Sequence, residues 1–281
     1  MTDAPQPHPE GNITVIEHGR AEAHYWRDLW QYRGLMFFLA WRDVKVRYKQ
    51  AFLGILWALI QPAVTMVLFT FVFGKLAGMP GGKEPYSLLV LAGLLPWQLF
   101  SSAFSGSGGS VVANANLVSK VYFPRLVVPL AALGVAIIDF LVTLGLYAII
   151  ATWFGLWPTW RILFLPAFLV MGLMTALGAG LWLTALTVKY RDFRFITPFI
   201  LQVGIFVTPV GYRTDNLPNW HDILALNPLT GVINGFRWCL LAGDFQLEPQ
   251  VIITSIVTGG ILLWTGIWYF RATERSFADT I

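Results

Sequence analysis

The chain is dominated by uninterrupted apolar stretches near residues 53–74, 86–104, 126–152, 162–186 and 251–270. Each is long enough to cross about 30 Å of hydrocarbon as a helix. A sixth, broken helix is expected from Phe195 to Gly211, where Pro198, Gly204 and Pro209 interrupt an apolar run flanked by Arg194 and Arg213. Composition agrees: 56% of the 281 residues are apolar and 12% charged, against roughly 45–50% and 25% in a soluble domain. The expected fold class is an all-α integral membrane protein with six transmembrane helices.

Basic residues orient the spans. With the N-terminus inside, the segment before the first span and the later inner loops hold fourteen Lys and Arg, against five outside. That is the positive-inside bias, and it puts both termini in the cytoplasm. Residues 1–22 are polar, with prolines and acids in place of a signal peptide's apolar region, so the first span is expected to direct insertion itself. Residues 1–50 read as a cytoplasmic N-terminal segment and 51–281 as the membrane domain.

Three features interrupt this pattern. Phe37, Trp41, Val44 and Tyr48 recur at helical spacing beside a stripe of Arg42, Lys45 and Lys49, which predicts an N-terminal amphipathic interfacial helix. It either anchors the chain among membrane lipids or also receives an anionic one. Asp139 is the lone carboxylate expected within a span, where a charge costs about 2.5–3.5 kcal/mol. Together with Gln61 it is expected to be a buried polar group, serving either as a structural hydrogen-bonding residue or as part of a proton relay. Leu217 to Leu241 is apolar but broken by Pro218, Asn227, Pro228, Gly231 and Gly235. It reads as a re-entrant helical hairpin on the outer face between spans five and six, or else as an outside loop with a surface helix.

Several function classes find no support. The single cysteine, Cys239, excludes an internal disulfide and a cysteine metal cluster. His8, His18, His24 and His221 are scattered, no HExxH or GxSxG motif occurs, and no metal or catalytic residue is assigned. Gly81-Gly82-Lys83-Glu84 falls short of a phosphate loop and lies outside. Asn12-Ile13-Thr14 is a glycosylation pattern on the cytoplasmic side, where it has no use. The basic residues border spans, which explains a pI near 9.3 by head-group attraction without nucleic acid. Any energy source is therefore expected on another subunit.

Arg42-Asp43-Val44-Lys45-Val46-Arg47-Tyr48-Lys49-Gln50, followed by Leu53-Gly54, Trp57 and Gln61-Pro62, resembles the start of ABC-2 type polysaccharide export permeases. Asn114 to Arg125, Tyr190-Arg191-Asp192, Asn227-Pro228-Leu229-Thr230 and Phe236-Arg237 resemble further landmarks of those permeases, in order, from about residue 35 to about 275. The resemblance implies a homodimer joined to two cytosolic ATPase subunits, with ATP and magnesium on those subunits. It implies export of a lipid-linked polysaccharide such as O antigen, capsule or teichoic acid across a bacterial inner membrane. It also implies a path lined by the first and fifth spans.

A diphosphate-linked substrate needs cationic donors at the cytoplasmic rim, for which Arg42, Lys45 and Arg47 are candidates, with the arginines able to grip phosphate bidentately. The same residues also serve topology, with Asp43 and Arg47 placed to pair at i,i+4. Sugar rings stack weakly on aromatic faces, and Trp57, Phe69, Phe73, Phe199, Phe206 and Tyr212 are the candidate lining residues, with Thr65 sharing the face of Phe69 and Phe73. Asn116, Lys120, Tyr122, Phe123 and Arg125 lie in the stretch resembling an ATPase-coupling helix, with Tyr122 and Phe123 as anchors; the alternative is a membrane-surface helix. Two rival classes remain: an ion-coupled carrier or channel centred on Asp139, and an ABC-2 permease that exports drugs or lipids.

Overall fold

With no water to satisfy backbone groups in hydrocarbon, an apolar chain of this kind closes its hydrogen bonds helix by helix. The computed structural model describes residues 25–49, 54–79, 84–190, 192–214, 220–241, 245–274 and 277, and among these the regular structure is helical. The Asn12 pattern, Gly81-Gly82-Lys83, Arg191 and Leu217 to Asn219 lie outside the described residues.

Two N-terminal helices, α1 (Tyr25–Gln31) and α2 (Arg33–Lys49), lead into α3 (Gly54–Phe69), whose end widens into a π-helical segment at Thr70–Leu76. Then follow α4 (Tyr86–Ala113), the short α5 (Ala115–Lys120), α6 (Val127–Trp153), α7 (Leu165–Lys189) and α8 (Phe193–Val207). The chain closes with α9 (His221–Ala225), α10 (Pro228–Leu240) and α11 (Pro249–Thr273). Five helical stretches are long and apolar enough to cross a membrane: Leu56–Leu76, Tyr86–Ala113, Val127–Trp153, Trp160–Lys189 and Pro249–Thr273. The expected sixth differs. Helix α8 ends at Val207, before Pro209 and Gly211, and its 15 residues extend only about 22 Å.

Helix α4 is the hub, packed against α6, α7 and α10. Of its apolar window 72% is buried, whereas the window on α3 is 6% buried and α8 buries no residue fully. Where α7 crosses α11, Gly178 and Gly266 bring the backbones together: a Cβ on Gly266 would lie 2.4 Å from the Gly178 carbonyl oxygen.

Contacts fix which ends lie together. The Tyr25 hydroxyl donates to Glu274 Oε2 at 3.0 Å, so α1 and the end of α11 share one end of the bundle. Phe123, Val118 and Val188 join Tyr25 and Phe270 in one core cluster there. At the opposite end, Tyr86 donates to the Gly211 carbonyl and Tyr147 to the Leu240 carbonyl. The chain leaves α7 at the first end, and Gly211, beyond the end of α8, lies at the second.

Helix α2 climbs along α6. Ala40 lies against Gly134, where an added Cβ would approach the Ala40 Cβ to 2.9 Å, and Tyr48 reaches Asp139. These contacts span about 7 Å of the α6 axis. Phe37 and Trp41 stay exposed, but Tyr48, expected on the same stripe, turns its hydroxyl into the bundle. Helix α10 is buried from Leu229 through Arg237, packed against α4, α7 and α11. Asn227 caps it, its side chain accepting from the Leu229 amide at 3.0 Å while Nδ2 donates to Thr208 Oγ1 at 3.1 Å.

Candidate transport site

Asp139 lies roughly 18 Å along α6 from its first residue. Its Oδ1 accepts from the Tyr48 hydroxyl at 2.5 Å and its Oδ2 from Ser102 Oγ at 3.0 Å. Arg47 Nη2 is 2.9 Å from Oδ2, with the Arg47 side chain 53% exposed and that of Asp139 13%. Two neutral donors and one cation thus offset the carboxylate's desolvation. Burial, then the hydrogen bond to Asp139 and that group's negative charge, push the Tyr48 phenol well above its ordinary range.

The expected i,i+4 pair of Asp43 with Arg47 does not form. Asp43 Oδ1 instead accepts from Arg42 Nε at 2.9 Å and Nη2 at 2.7 Å, while Arg42 Nη2 also reaches Asn114 Oδ1 at 2.7 Å. Arg47 has the stronger partner in Asp139, where a charge pair also relieves a buried carboxylate. Of the three candidate cations, Lys45 remains over the exposed Trp41 ring, 5.4 Å from its centroid. Tyr48 and Ser102 were not singled out as site residues from sequence. Tyr48 is 91 residues from Asp139 in the chain, and only the packing of α2 on α6 unites them.

Four of the six aromatic candidates meet. Phe69 stacks on Phe206 at 5.8 Å between centroids, Phe69 and Phe73 are 5.3 Å apart, and Phe73 is 6.4 Å from Tyr212. Gly211 makes the seam possible, because a Cβ there would fall 2.7 Å from Phe69 and 2.9 Å from Phe73. Within the seam Phe206 is exposed and Tyr212 is buried, so Tyr212 supports the seam from behind instead of lining an open face. Trp57 and Phe199 are exposed and lie outside this cluster. Gln61 was expected to be buried; it is exposed, because α3 barely packs on the bundle, and only its carbonyl is engaged, by Thr65 Oγ1 at 2.9 Å.

Behind the seam stands Arg237, fully buried on α10. Its Nη1 donates to the Tyr212 carbonyl at 2.8 Å and its Nη2 to the Val210 carbonyl at 2.8 Å. The turn after α8 is thereby fixed to α10. The sequence signal for this role is an arginine within the largely apolar run Val232 to Leu241.

At the other end, α5 and the following loop separate the two expected anchors. Tyr122 is 60% exposed, and its carbonyl accepts from the Tyr32 hydroxyl at 3.4 Å. Phe123, at 4% exposed, is a core residue packed with Tyr25, Phe270 and Phe277, so it cannot present its ring to a partner in this conformation. Arg125 lies over the Phe277 ring at 6.0 Å, and Asn116 and Lys120 are exposed.

Five helices long and apolar enough to span, one of them largely unpacked, with a charged node between α2 and α6, define a polytopic membrane protein. The ABC-2 type transporter family model matches residues 34–241. The chain belongs to that family. It is 29% identical over 259 residues to the O-antigen export system permease protein RfbA of Myxococcus xanthus, covering 91% of this chain and 98% of that protein. The Klebsiella pneumoniae protein of the same name is 29% identical over 85% of this chain and 92% of its own length. The polysialic acid transport protein KpsM of Escherichia coli is 24% identical over 84% of this chain and 92% of its own length.

Proposed function

We propose that this chain is the channel-forming membrane subunit of an ATP-driven exporter that moves a lipid-linked polysaccharide out of the cytoplasm across a bacterial inner membrane. It works as a homodimer with a separate cytosolic ATPase subunit that carries ATP and magnesium. Export permeases for O antigen and polysialic acid among its relatives support the substrate class. The observation that carries the reading is α3. Its apolar window is 6% buried within the subunit, yet it presents Gln61 and joins an aromatic seam with α8. A glutamine facing lipid would be costly, so this face is better matched to a second copy and to a passage between the copies.

In this reading α8 with its flanking residues is the sixth crossing, both termini are cytoplasmic, α2 borders the inner interface, and α9 with α10 forms the re-entrant hairpin. Arg42, Lys45 and Arg47 admit the diphosphate head. Trp57, Phe69, Phe73, Phe199 and Phe206 offer weak, sequence-tolerant stacking to the sugar chain. The Asn116 to Arg125 loop meets the ATPase through Tyr122. ATP-driven closure of the partner pushes this loop and parts the two copies of α3 and α8.

The test is purification of this subunit from native membranes in mild detergent, then an ATPase assay with and without lipid-linked polysaccharide. Recovery of a Walker-type ATPase whose hydrolysis responds to the polymer is expected. A subunit that emerges alone, under conditions that preserve other membrane complexes, would overturn the proposal.

A further inference from the structure

Both arginines proposed to admit the diphosphate already hold oxygen acceptors of this chain. Arg42 is held by Asp43 and Asn114. Arg47 is held by Asp139, and that pair is asymmetric. The Arg47 side chain is half exposed, while the carboxylate is nearly enclosed and keeps two further donors, Tyr48 and Ser102. If Arg47 swings away, Asp139 retains two of its three donors. If Asp139 were removed, Arg47 would present a free guanidinium at the open side of α2.

We infer that Asp139 is an internal stand-in for the substrate's phosphate: the Arg47–Asp139 pair latches α2 to α6 at rest, and a phosphate oxyanion arriving from the membrane exchanges with Asp139 for the Arg47 guanidinium. The inference rests on the proposed export function and assigns a regulatory step to the same site. Chemistry favours the exchange, because a diphosphate offers more oxygens and more charge to the guanidinium fork than one carboxylate does. Tyr48 and Ser102 make the exchange reversible, since they hold the abandoned carboxylate in place. Release of Arg47 removes the charged part of the tie between the last turn of α2 and α6 and leaves the neutral Tyr48 hydrogen bond to Asp139, so occupancy of the headgroup site loosens the turn that leads to the helix proposed to line the passage.

The shared ligand chemistry is a phosphate oxyanion, supplied either by the lipid diphosphate carrier of the proposed substrate or by an anionic phospholipid. The experiment uses the full complex of this chain with its ATPase in phosphatidylcholine nanodiscs, titrated with a fluorescent polyprenyl diphosphate. Asp139→Asn is expected to bind the probe about threefold tighter or more, as the loss of a competing, partly exposed ion pair allows. Arg47→Gln is expected to bind it more weakly, and the double variant to match Arg47→Gln. Tyr48→Phe moves the opposite way from Asp139→Asn, because a carboxylate that has lost a neutral donor leans harder on Arg47. A purely structural node would weaken binding in both Asp139→Asn and Tyr48→Phe, and that result would overturn the inference. So would wild-type affinity in a well-assembled Asp139→Asn complex. Repeating the titration with phosphatidylglycerol in the nanodisc separates the sources: disappearance of the Asp139→Asn gain would overturn assignment to the carrier diphosphate. A wild-type complex that binds no probe and shows no polymer-dependent ATPase would instead overturn the export function itself.

Discussion

Arg237 is the residue on which the outer half of the seam depends. It is fully buried and holds the carbonyls of Val210 and Tyr212, so its removal leaves two acceptors unsatisfied and a void beside α4. Arg237→Ala should therefore cost about 3 kcal/mol or more. Thermal unfolding of purified subunit should show a melting point lower by several degrees, with Arg237→Lys intermediate; a melting point within one degree of wild type would refute the anchoring role. At this scale the sequence was legible where chemistry is sparse. A lone carboxylate in an apolar run marks itself, and Asp139 is indeed nearly enclosed by protein. Its partners were not legible, because Arg47 and Tyr48 belong to another helix and Asp43 offered a nearer pairing by spacing alone. Gln61 misled for the reverse reason: a polar residue in a span is expected to be buried, but α3 packs so little on the bundle that Gln61 stays exposed.

Among elements, long helices were readable from apolar length, and proline or glycine marks the starts of α3, α4, α7, α10 and α11, whereas α4 runs on to Ala113, past the expected end near residue 104. Helix α8 departs in the opposite sense, since it stops at Val207, short of the expected end at Gly211. Its seam with α3 yields a functional test. Replacing Phe69 and Phe206 with leucine keeps the faces apolar and should cost about 1–2 kcal/mol or less per site, yet remove the flat rings available for stacking. Export of labelled polysaccharide should fall severalfold while assembly and melting temperature hold. Undiminished export would show that the rings serve packing alone. The loop after α5 gives a second contrast. Tyr122→Ala should leave the subunit stable but uncouple ATP hydrolysis from export, whereas Phe123→Ala should cost about 3–5 kcal/mol by hollowing the second cluster. Parallel melting and transport assays separate the two; equal destabilisation would end the assignment of Tyr122 to the partner surface.

For the whole molecule, the hydrogen bond between Tyr25 and Glu274 ties both described ends of the chain to one end of the bundle, beside Phe123 and Phe277. In the proposed orientation that end faces the cytoplasm, and Trp157, exposed on the connection after α6, faces outside. The protein carries its own background control for a labelling test. Cys239 is the single cysteine, 1% exposed, and burial pushes its thiol up to about 12, leaving little reactive thiolate. Intact cells should therefore show no labelling of the wild-type chain by a membrane-impermeant maleimide. A cysteine replacing Trp157 should react at once, and one replacing Trp26 only after the membrane is opened. Reaction of the Trp26 position in intact cells would place α1 outside. It would invert the whole arrangement, putting Arg42, Lys45 and Arg47 on the side where an exported polymer leaves instead of where it is taken up.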